Sequence, residues 1–256
     1  MSEELKEELS LLPKGLLHLE AGIQSLREPV LEKSRRMGKL SDALDGLRFL
    51  CALPNMETHA DLIAGLPLYH LHEIFEDVRT LAEYAAGEIQ LESLKLLPGT
   101  EMRRRAEESG IKYSPLPPYE VLQTHEINVS ELQTARQLSR LLDGFYNTPA
   151  WQALTRELIL NDEQFLHRFL TYLTKANLID QPMSLEKRGL ILYEFCKQNY
   201  PEYQIQASIA WIEAGMSLKK LPAEKVWTKT TNSSCYLEYH LWRIQRKPSS
   251  VFPSCR

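Results

Sequence analysis

Three segments of the chain alternate between apolar and polar residues with the two-residue period of a β-strand, and each precedes a stretch with helical spacing. They occupy residues 16–25, 58–67 and 88–100. Because successive side chains of a strand point to opposite faces, each segment places its polar residues on one face. Those residues are His18, Glu20, Gly22 and Gln24, then His59 and Asp61, then Gln90 and Glu92. The helical spacers predict parallel strands joined by crossover helices.

The polar face favours one architecture. Parallel strands are normally buried on both faces and are apolar throughout. Polar side chains that face inward around a barrel axis explain the pattern. Three antiparallel edge strands facing water are the alternative, which the helical spacers disfavour. We therefore predict an α/β chain: a partial (β/α) barrel fragment with about three parallel strands, followed by a mostly α-helical C-terminal domain.

A domain boundary is predicted where the regular spacing breaks, at the Ser-Pro-Leu-Pro-Pro sequence of residues 114–118. Proline-rich stretches of this kind interrupt helices and mark loops. The sequence thus predicts a partial barrel over residues 1–113 and a mainly helical domain over residues 114–256. In the second domain, the aromatic residues of 235–244 predict a final strand.

Composition and charge exclude several classes of function. The chain has 256 residues, a net charge of −4 and four scattered cysteines. A negative net charge does not favour binding to nucleic acid, which requires a basic surface. The acidic start is no signal peptide, and no apolar run is long enough for a membrane span. Since the cysteines form no disulfide framework, we expect a cytoplasmic protein with no membrane or nucleic-acid partner.

Several motifs together resemble a known family. They are Leu-Glu-Ala-Gly-Ile-Gln-Ser at 19–25 with Arg36 following, His-Ala-Asp-Leu-Ile-Ala-Gly-Leu-Pro at 59–67, and Leu-Pro-Gly-Thr at 97–100. In this order they resemble the second half of the radical S-adenosylmethionine (SAM) partial barrel. Pro-Pro-Tyr-Glu-Val-Leu at 117–122 and Asp-Gly-Phe-Tyr-Asn at 143–147 resemble the C-terminal domain of one uncharacterised subgroup. Full-length members of that subgroup usually begin with a cobalamin-binding domain.

The resemblance implies a half-site for SAM. Asp61 is expected to accept hydrogen bonds from the ribose hydroxyls, Gln24 to bind the ribose or a carboxylate, and Arg36 to bind the SAM carboxylate. Gly65 and Pro67 are expected to shape the loop, and Gly99 and Thr100 to place backbone groups near the adenine.

Each of the three polar assignments has a structural alternative. Asp61, expected at a strand end, could cap the following turn. Gln24 could belong to an interior polar network. Arg36 could be a solvated charge on a helix, and a shift of one residue would exchange it with Arg35.

No catalytic residue is assigned, but two candidates share the polar face. His59 could act as a substrate-facing base or proton relay, since imidazole titrates near neutrality, or could be an interior hydrogen-bonded histidine. Glu20 could bind substrate or the methionine end of SAM. No metal site is predicted, because His70 and His72 do not face each other on a helix.

The sequence lacks the part of the family that begins the chemistry. In the family, a Cys-x3-Cys-x2-Cys loop holds a [4Fe–4S] cluster. Here Cys51, Cys196, Cys235 and Cys255 are at least 20 positions apart, so buried or idle thiols are expected. A Gly-Gly-Glu-type segment is missing too. Met1 falls just before the family's fourth strand, and we expect the C-terminal portion of a truncated, split or misannotated gene, with [4Fe–4S] and cobalamin bound only through an N-terminal region.

The predicted function is therefore a fragment or split subunit of a radical SAM enzyme. It would supply SAM contacts and part of a cavity for an unknown substrate, and would be inactive alone. Its partner would be a separately encoded N-terminal half, or a second copy through the exposed first strand. The alternative is a non-catalytic interaction or scaffold protein. An ordinary hydrolytic or isomerase barrel needs acid–base pairs that Glu20, His59 and Glu92 do not clearly supply.

Overall fold

The computed structural model describes residues 1–36, 38–84, 87–217 and 220. The predicted strand at 235–244, together with Cys235 and Cys255, lies outside the described residues. Spatial contacts divide the chain into two compact units: residues 1–148 with 155–181, and residues 149–154 with 182–256. The boundary predicted between residues 113 and 114 stays a prediction.

The first unit contains a three-stranded parallel sheet, which confirms the predicted fold class. Its strands are β1 His18–Gln24, β2 Glu57–Ala64 and β3 Glu88–Ser93, in the order β1-β2-β3. The register sets Glu20 beside His59, and Asp61 beside Gln90. Two antiparallel segments, β4 Lys112–Tyr113 and β5 Val121–Gln123, form a second, small sheet.

Helices make up most of the remaining described residues, as predicted. In the first unit they are α1 Glu3–Leu11, α2 Glu28–Lys33, α3 Leu40–Ala52, α4 Leu71–Glu83, α5 Glu101–Arg104, α6 Val129–Leu141 and α8 Phe165–Lys175. The helix α7 Pro149–Asn161 contributes to both units, and α9 Leu185–Asn199 and α10 Gln204–Glu213 belong to the second. Short 3-10 segments cover Glu107–Ser109 and Pro201–Tyr203, and a π-helical turn covers Leu142–Tyr146. Within the described ranges, no helix has both the length and the apolar character that crossing a membrane requires.

The helix α4 shows how the apolar pattern sets the packing. Its spacing predicts an inner face of Leu71, Ile74, Phe75, Val78 and Leu81; the last four are buried, and Leu71, the first residue of the helix, is half-buried. These residues lie three to four positions apart, so they form one stripe that can face the sheet. Asp77 is buried within the same stripe, which the pattern alone does not explain.

The edge of β3 that does not pair with β2 is covered by residues distant in the sequence. The backbone N–H of Ile89 donates to Asn147 Oδ1 at 2.9 Å, and Asn147 Nδ2 donates to the Ile89 carbonyl at 3.0 Å. Just beyond β3, the N–H of Val121 donates to the Leu94 carbonyl at 2.8 Å. A side-chain amide thus takes the place of a neighbouring strand and satisfies edge groups that would otherwise be unpaired.

The second unit is built around two tryptophans. Trp151, near the start of α7, and Trp211, in α10, are both buried. Gly189 of α9 leaves the space that these rings occupy, because a Cβ atom there would lie 2.7 Å from Trp151 Cζ2 and 3.0 Å from Trp211 Cε3. A small residue at this helical position therefore permits the close packing.

Candidate functional site

The polar residues of the three strands gather on one face of the sheet. His59, in the central strand β2, lies between polar side chains from both neighbouring strands. Those neighbours are His18 and Glu20 from β1 and Gln90 from β3. The predicted shared polar face is therefore present in the sheet, with His59 at its centre.

Both ring nitrogens of His59 face polar groups, although the residue is only 9% exposed. Its Nδ1 lies 2.7 Å from His18 Nε2 and 3.4 Å from the amide nitrogen of Gln90. Its Nε2 lies 3.7 Å from Glu20 Oε2 and 3.9 Å from Asp61 Oδ1. Among the described residues, neither His59 Nε2 nor Asp61 Oδ1 has a hydrogen-bond partner.

Asp61 and Glu20 form a coupled pair of carboxyl groups. Burial, reinforced by the Glu20 carboxylate and by Glu92, raises the pKa of Asp61 to about 7. The hydrogen bond with Asp61 lowers the pKa of the exposed Glu20. Two acids this close avoid ionising together, so the pair retains one proton to higher pH than an isolated aspartate would. Asp61 lies inside β2, three residues before Ala64, and not at the strand end where the sequence predicts it.

A second buried carboxylate holds the loop that follows β1, and the sequence analysis did not identify it. Asp77 of α4 accepts hydrogen bonds from the Leu26 N–H at 2.8 Å, the Tyr69 hydroxyl at 2.6 Å and Arg27 Nε at 2.9 Å. Burial raises the pKa of Asp77, while these donors oppose the shift. The signal was a lone aspartate within the apolar stripe of α4, since a buried charge needs partners.

Gln24 and Arg36 lie near the carboxyl end of β1. Gln24 has φ 68°, in the left-handed region, and the pairing with β2 shifts between Ala21 and Gln24. Arg36 Nη2 donates to the Gly22 carbonyl. Gly22 and Arg36 also line a cavity of about 290 Å³. Arg35 points elsewhere, to Glu101 at 3.9 Å, so Arg36 is the arginine placed against β1.

The remaining predicted residues occupy two different surroundings. Gly65, with φ 93°, lies under the side chain of Val121, which a Cβ atom would approach to 3.4 Å. Pro67 lines a cavity of about 140 Å³ beside the start of α5. Gly99 has φ 83°, and the Thr100 hydroxyl accepts from the Arg103 N–H at 3.3 Å, so these two residues form the turn that caps α5. The positive φ explains the glycines at 65 and 99, and the hydrogen bond that caps α5 explains Thr100.

Two groups of metal-ligating side chains converge in the described part of the chain. One comprises Glu20, His59 and Asp61, and the other His18, His59 and Glu88. In each, the ligand atoms lie within 4.8 Å of one another. Neither was found from the sequence, because each group combines residues from at least two strands whose pairing has no short sequence motif.

Comparison with known families adds one match. Residues 107–229 match a family described as protein of unknown function (DUF4080). This domain is found in the C-terminal region of cobalamin-binding radical SAM proteins. The DUF4080 region includes α6 to α10 and excludes β1, β2 and β3. It supports the predicted resemblance for the C-terminal part of the chain, and radical SAM membership of the strands stays a prediction. No curated protein matches the chain.

Proposed function

We propose that this chain supplies an adenosyl-binding half-site and part of the substrate cavity of a radical SAM enzyme. One observation carries the proposal: Asp61 presents a carboxylate oxygen without a partner among the described residues, on a polar face shared by three parallel strands. The attached DUF4080 region is of a kind found in radical SAM proteins, which supports the same assignment.

The polar side chains at this site suit a nucleoside that carries a charged group. Vicinal ribose hydroxyls are donors, so Asp61 Oδ1 is a suitable acceptor for them. The guanidinium of Arg36 has further N–H donors beyond the one directed at Gly22, and these suit a carboxylate. The left-handed conformation of Gln24 is costly for a non-glycine residue, which is a feature of ligand-binding loops. SAM would supply the radical chemistry when bound, and these residues would bind and orient it.

The two cysteines within the described residues do not fit an iron–sulfur cluster. Cys51 is half-buried and Cys196 is buried, and burial raises the pKa of both thiols, that of Cys196 to about 12. Cluster ligands are thiolates, which a raised pKa disfavours. No step through a cluster or through cobalamin is assigned to this chain. Under the proposal, residues outside this sequence hold both groups, and the complex works in a reducing cytoplasm.

Titration of the full chain with SAM and with 5′-deoxyadenosine tests the proposal. In chelator-containing buffer we expect both to bind, and Asp61→Ala to weaken both by about tenfold, the effect of losing one to two hydrogen bonds. The matched control is Asp45→Ala, at an exposed aspartate of α3. Failure of both ligands to bind would contradict the half-site and favour a scaffold role. Deoxyadenosine release by the chain alone under reducing conditions would contradict the expected dependence on a partner.

A further inference from the structure

We propose that Glu20, His59 and Asp61 form a binding site for a divalent first-row transition ion. One ligand comes from β1 and two come from the central strand β2. The inference is independent of the adenosyl half-site, because it concerns binding of the ion alone. It depends on the position of His59 Nε2 and on the groups that this nitrogen faces.

His18 is placed to support His59 as a ligand. His18 Nδ1 lies 3.3 Å from the Glu57 carboxylate, to which it can donate, and this leaves His18 Nε2 as an acceptor 2.7 Å from His59 Nδ1. When His59 Nε2 binds an ion, the ring proton lies on Nδ1 and His18 Nε2 can accept it. The Gln90 amide nitrogen, 3.4 Å from the same Nδ1, is a donor and suits the other tautomer, so binding of the ion selects the Nδ1–H form. This pairing of one ring nitrogen with a hydrogen-bonded partner is the usual support for a metal-binding imidazole.

His59 Nε2 faces two carboxyl groups. The nearest polar atoms are Glu20 Oε2 at 3.7 Å and Asp61 Oδ1 at 3.9 Å, both beyond hydrogen-bond distance. Both His59 Nε2 and Asp61 Oδ1 lack hydrogen-bond partners among the described residues. An imidazole nitrogen and two carboxyl oxygens directed toward one point are ligand types of a divalent cation, which would take the place of the proton that Asp61 and Glu20 share.

The spacing of the three ligand atoms suits such an ion. Metal–ligand distances of about 2.0–2.2 Å place neighbouring ligand atoms about 3–3.5 Å apart in tetrahedral or octahedral geometry. The separations from His59 Nε2, 3.7 Å to Glu20 Oε2 and 3.9 Å to Asp61 Oδ1, exceed the upper end of this range by a few tenths of an ångström, which small side-chain rotations can close. Glu20 is free to make them, because its side chain is 69% exposed.

The alternative group of His18, His59 and Glu88 shares the same imidazole but is less suited. There the His59 nitrogen available is Nδ1, which is already engaged with His18 at hydrogen-bond distance. A metal would have to break that bond and separate the two rings. We therefore assign Glu88 no role in binding. Substitution of Glu88 then distinguishes the two groups experimentally.

The donor set selects the class of ion. One imidazole nitrogen and two carboxylate oxygens suit Zn²⁺, Mn²⁺ or Fe²⁺, whereas Cu(I) prefers sulfur ligands. Three protein ligands leave one or more coordination positions for water or for oxygen atoms of a bound molecule. A ribose diol at Asp61 could occupy them, so an ion and an adenosyl group are compatible occupants of this face.

The test is calorimetric titration of the chelator-stripped full chain with Zn²⁺ and with Mn²⁺, without any nucleoside. We expect one ion per chain. Glu20→Gln and Asp61→Asn should each weaken binding by at least about tenfold, and Glu57→Gln should weaken it by about tenfold through the hydrogen-bond chain. Control variants Glu88→Gln and His72→Gln, the latter at an exposed histidine of α4, should bind as the parent chain does.

Two outcomes would overturn the site. One is the lack of binding by the parent chain at about 1 mM metal, well above the range of specific sites. The other is loss of binding in Glu88→Gln but not in Glu20→Gln, which would assign the ion to the alternative group. Glu20 is largely exposed, so Glu20→Gln is expected to fold, and circular dichroism verifies this. Because SAM is left out of the titration, failure of the adenosyl proposal does not affect the result.

Discussion

Asp61 makes the free energy of unfolding depend on pH. Its pKa is about 7 in the folded chain, against an ordinary aspartate value of about 4. The folded state therefore binds a proton more tightly than the unfolded state does. The stabilisation from this proton is complete below about pH 4 and is lost as pH rises through about 7.

We predict that Asp61→Asn flattens this dependence. Glu20, His59 and Glu92, the groups that face Asp61 from the three strands, are unchanged in the variant. Because Glu20 and Glu92 are mostly exposed, solvent screening reduces the effect to about 1–2 kcal/mol between pH 4.5 and 7.5. Urea denaturation across that range, with chelator present, measures it. The parent chain should lose stability relative to the variant as pH rises.

The control for this prediction is Asp45→Asn, which changes an aspartate that is 73% exposed. It should follow the parent chain at every pH. Parallel curves for the parent chain and for Asp61→Asn would contradict the proton sharing between Asp61 and Glu20.

The sequence predicted which polar side chains share a face, but it did not predict the contacts that tie distant segments together. Strand alternation places Glu20, His59 and Asp61 on one face, and the structure confirms that they meet. The interactions of Asp77 and Asn147 could not be predicted, because each joins segments separated by about fifty residues or more. Register and loop geometry decide such pairs, and neither has a local signature.

Whole elements were easier to predict than their exact limits. The helices α4 and α6 follow from apolar residues three to four positions apart. For α6 the sequence predicts a cap at Ser130 or Asn128, and in the structure the Asn128 side chain accepts from the Glu131 N–H. The segment 88–100 predicts a strand followed by a Pro-Gly-Thr turn, and the strand ends at Ser93, well before that turn, because the chain bends there to pair with β5. Strand propensity alone does not detect such a tertiary contact.

Two helical glycines should respond in opposite ways to alanine. Alanine favours a helix by about 1 kcal/mol over glycine. In α3, a Cβ atom at Gly46 approaches only Met1, at 3.9 Å, so we predict that Gly46→Ala stabilises the first unit by about 0.5–1 kcal/mol. In α9, a Cβ atom at Gly189 overlaps the Trp151 and Trp211 rings, so Gly189→Ala should destabilise the second unit by about 1–3 kcal/mol.

Thermal denaturation of the two variants, followed by tryptophan fluorescence and circular dichroism, distinguishes the effect of side-chain packing on stability from the effect of helix propensity. Both substitutions make the same chemical change in a helix, so each serves as the control for the other. Equal stabilisation of both would contradict the tight packing assigned to Gly189.

The two edges of the sheet differ, and this difference bears on how whole chains associate. The edge of β3 is closed by Asn147 and by the segment that includes Val121. Among the described residues, β1 pairs only with β2. Three parallel strands do not close a barrel, and an open strand edge can pair with another chain. The open edge is where we expect either a second polypeptide or a second copy to bind.

Without a partner, the purified chain should associate with itself through β1. Light scattering after size-exclusion chromatography should give a mean mass that rises above 29.6 kDa with concentration. Leu19→Lys places a charge on the half-buried edge strand and should reduce the association, since lysine on an edge disfavours pairing. Leu11→Lys is the matched control, because Leu11 is exposed at the end of α1, away from the sheet. A constant monomer mass, or equal effects of the two lysines in folded variants, would show that β1 is not the contact surface.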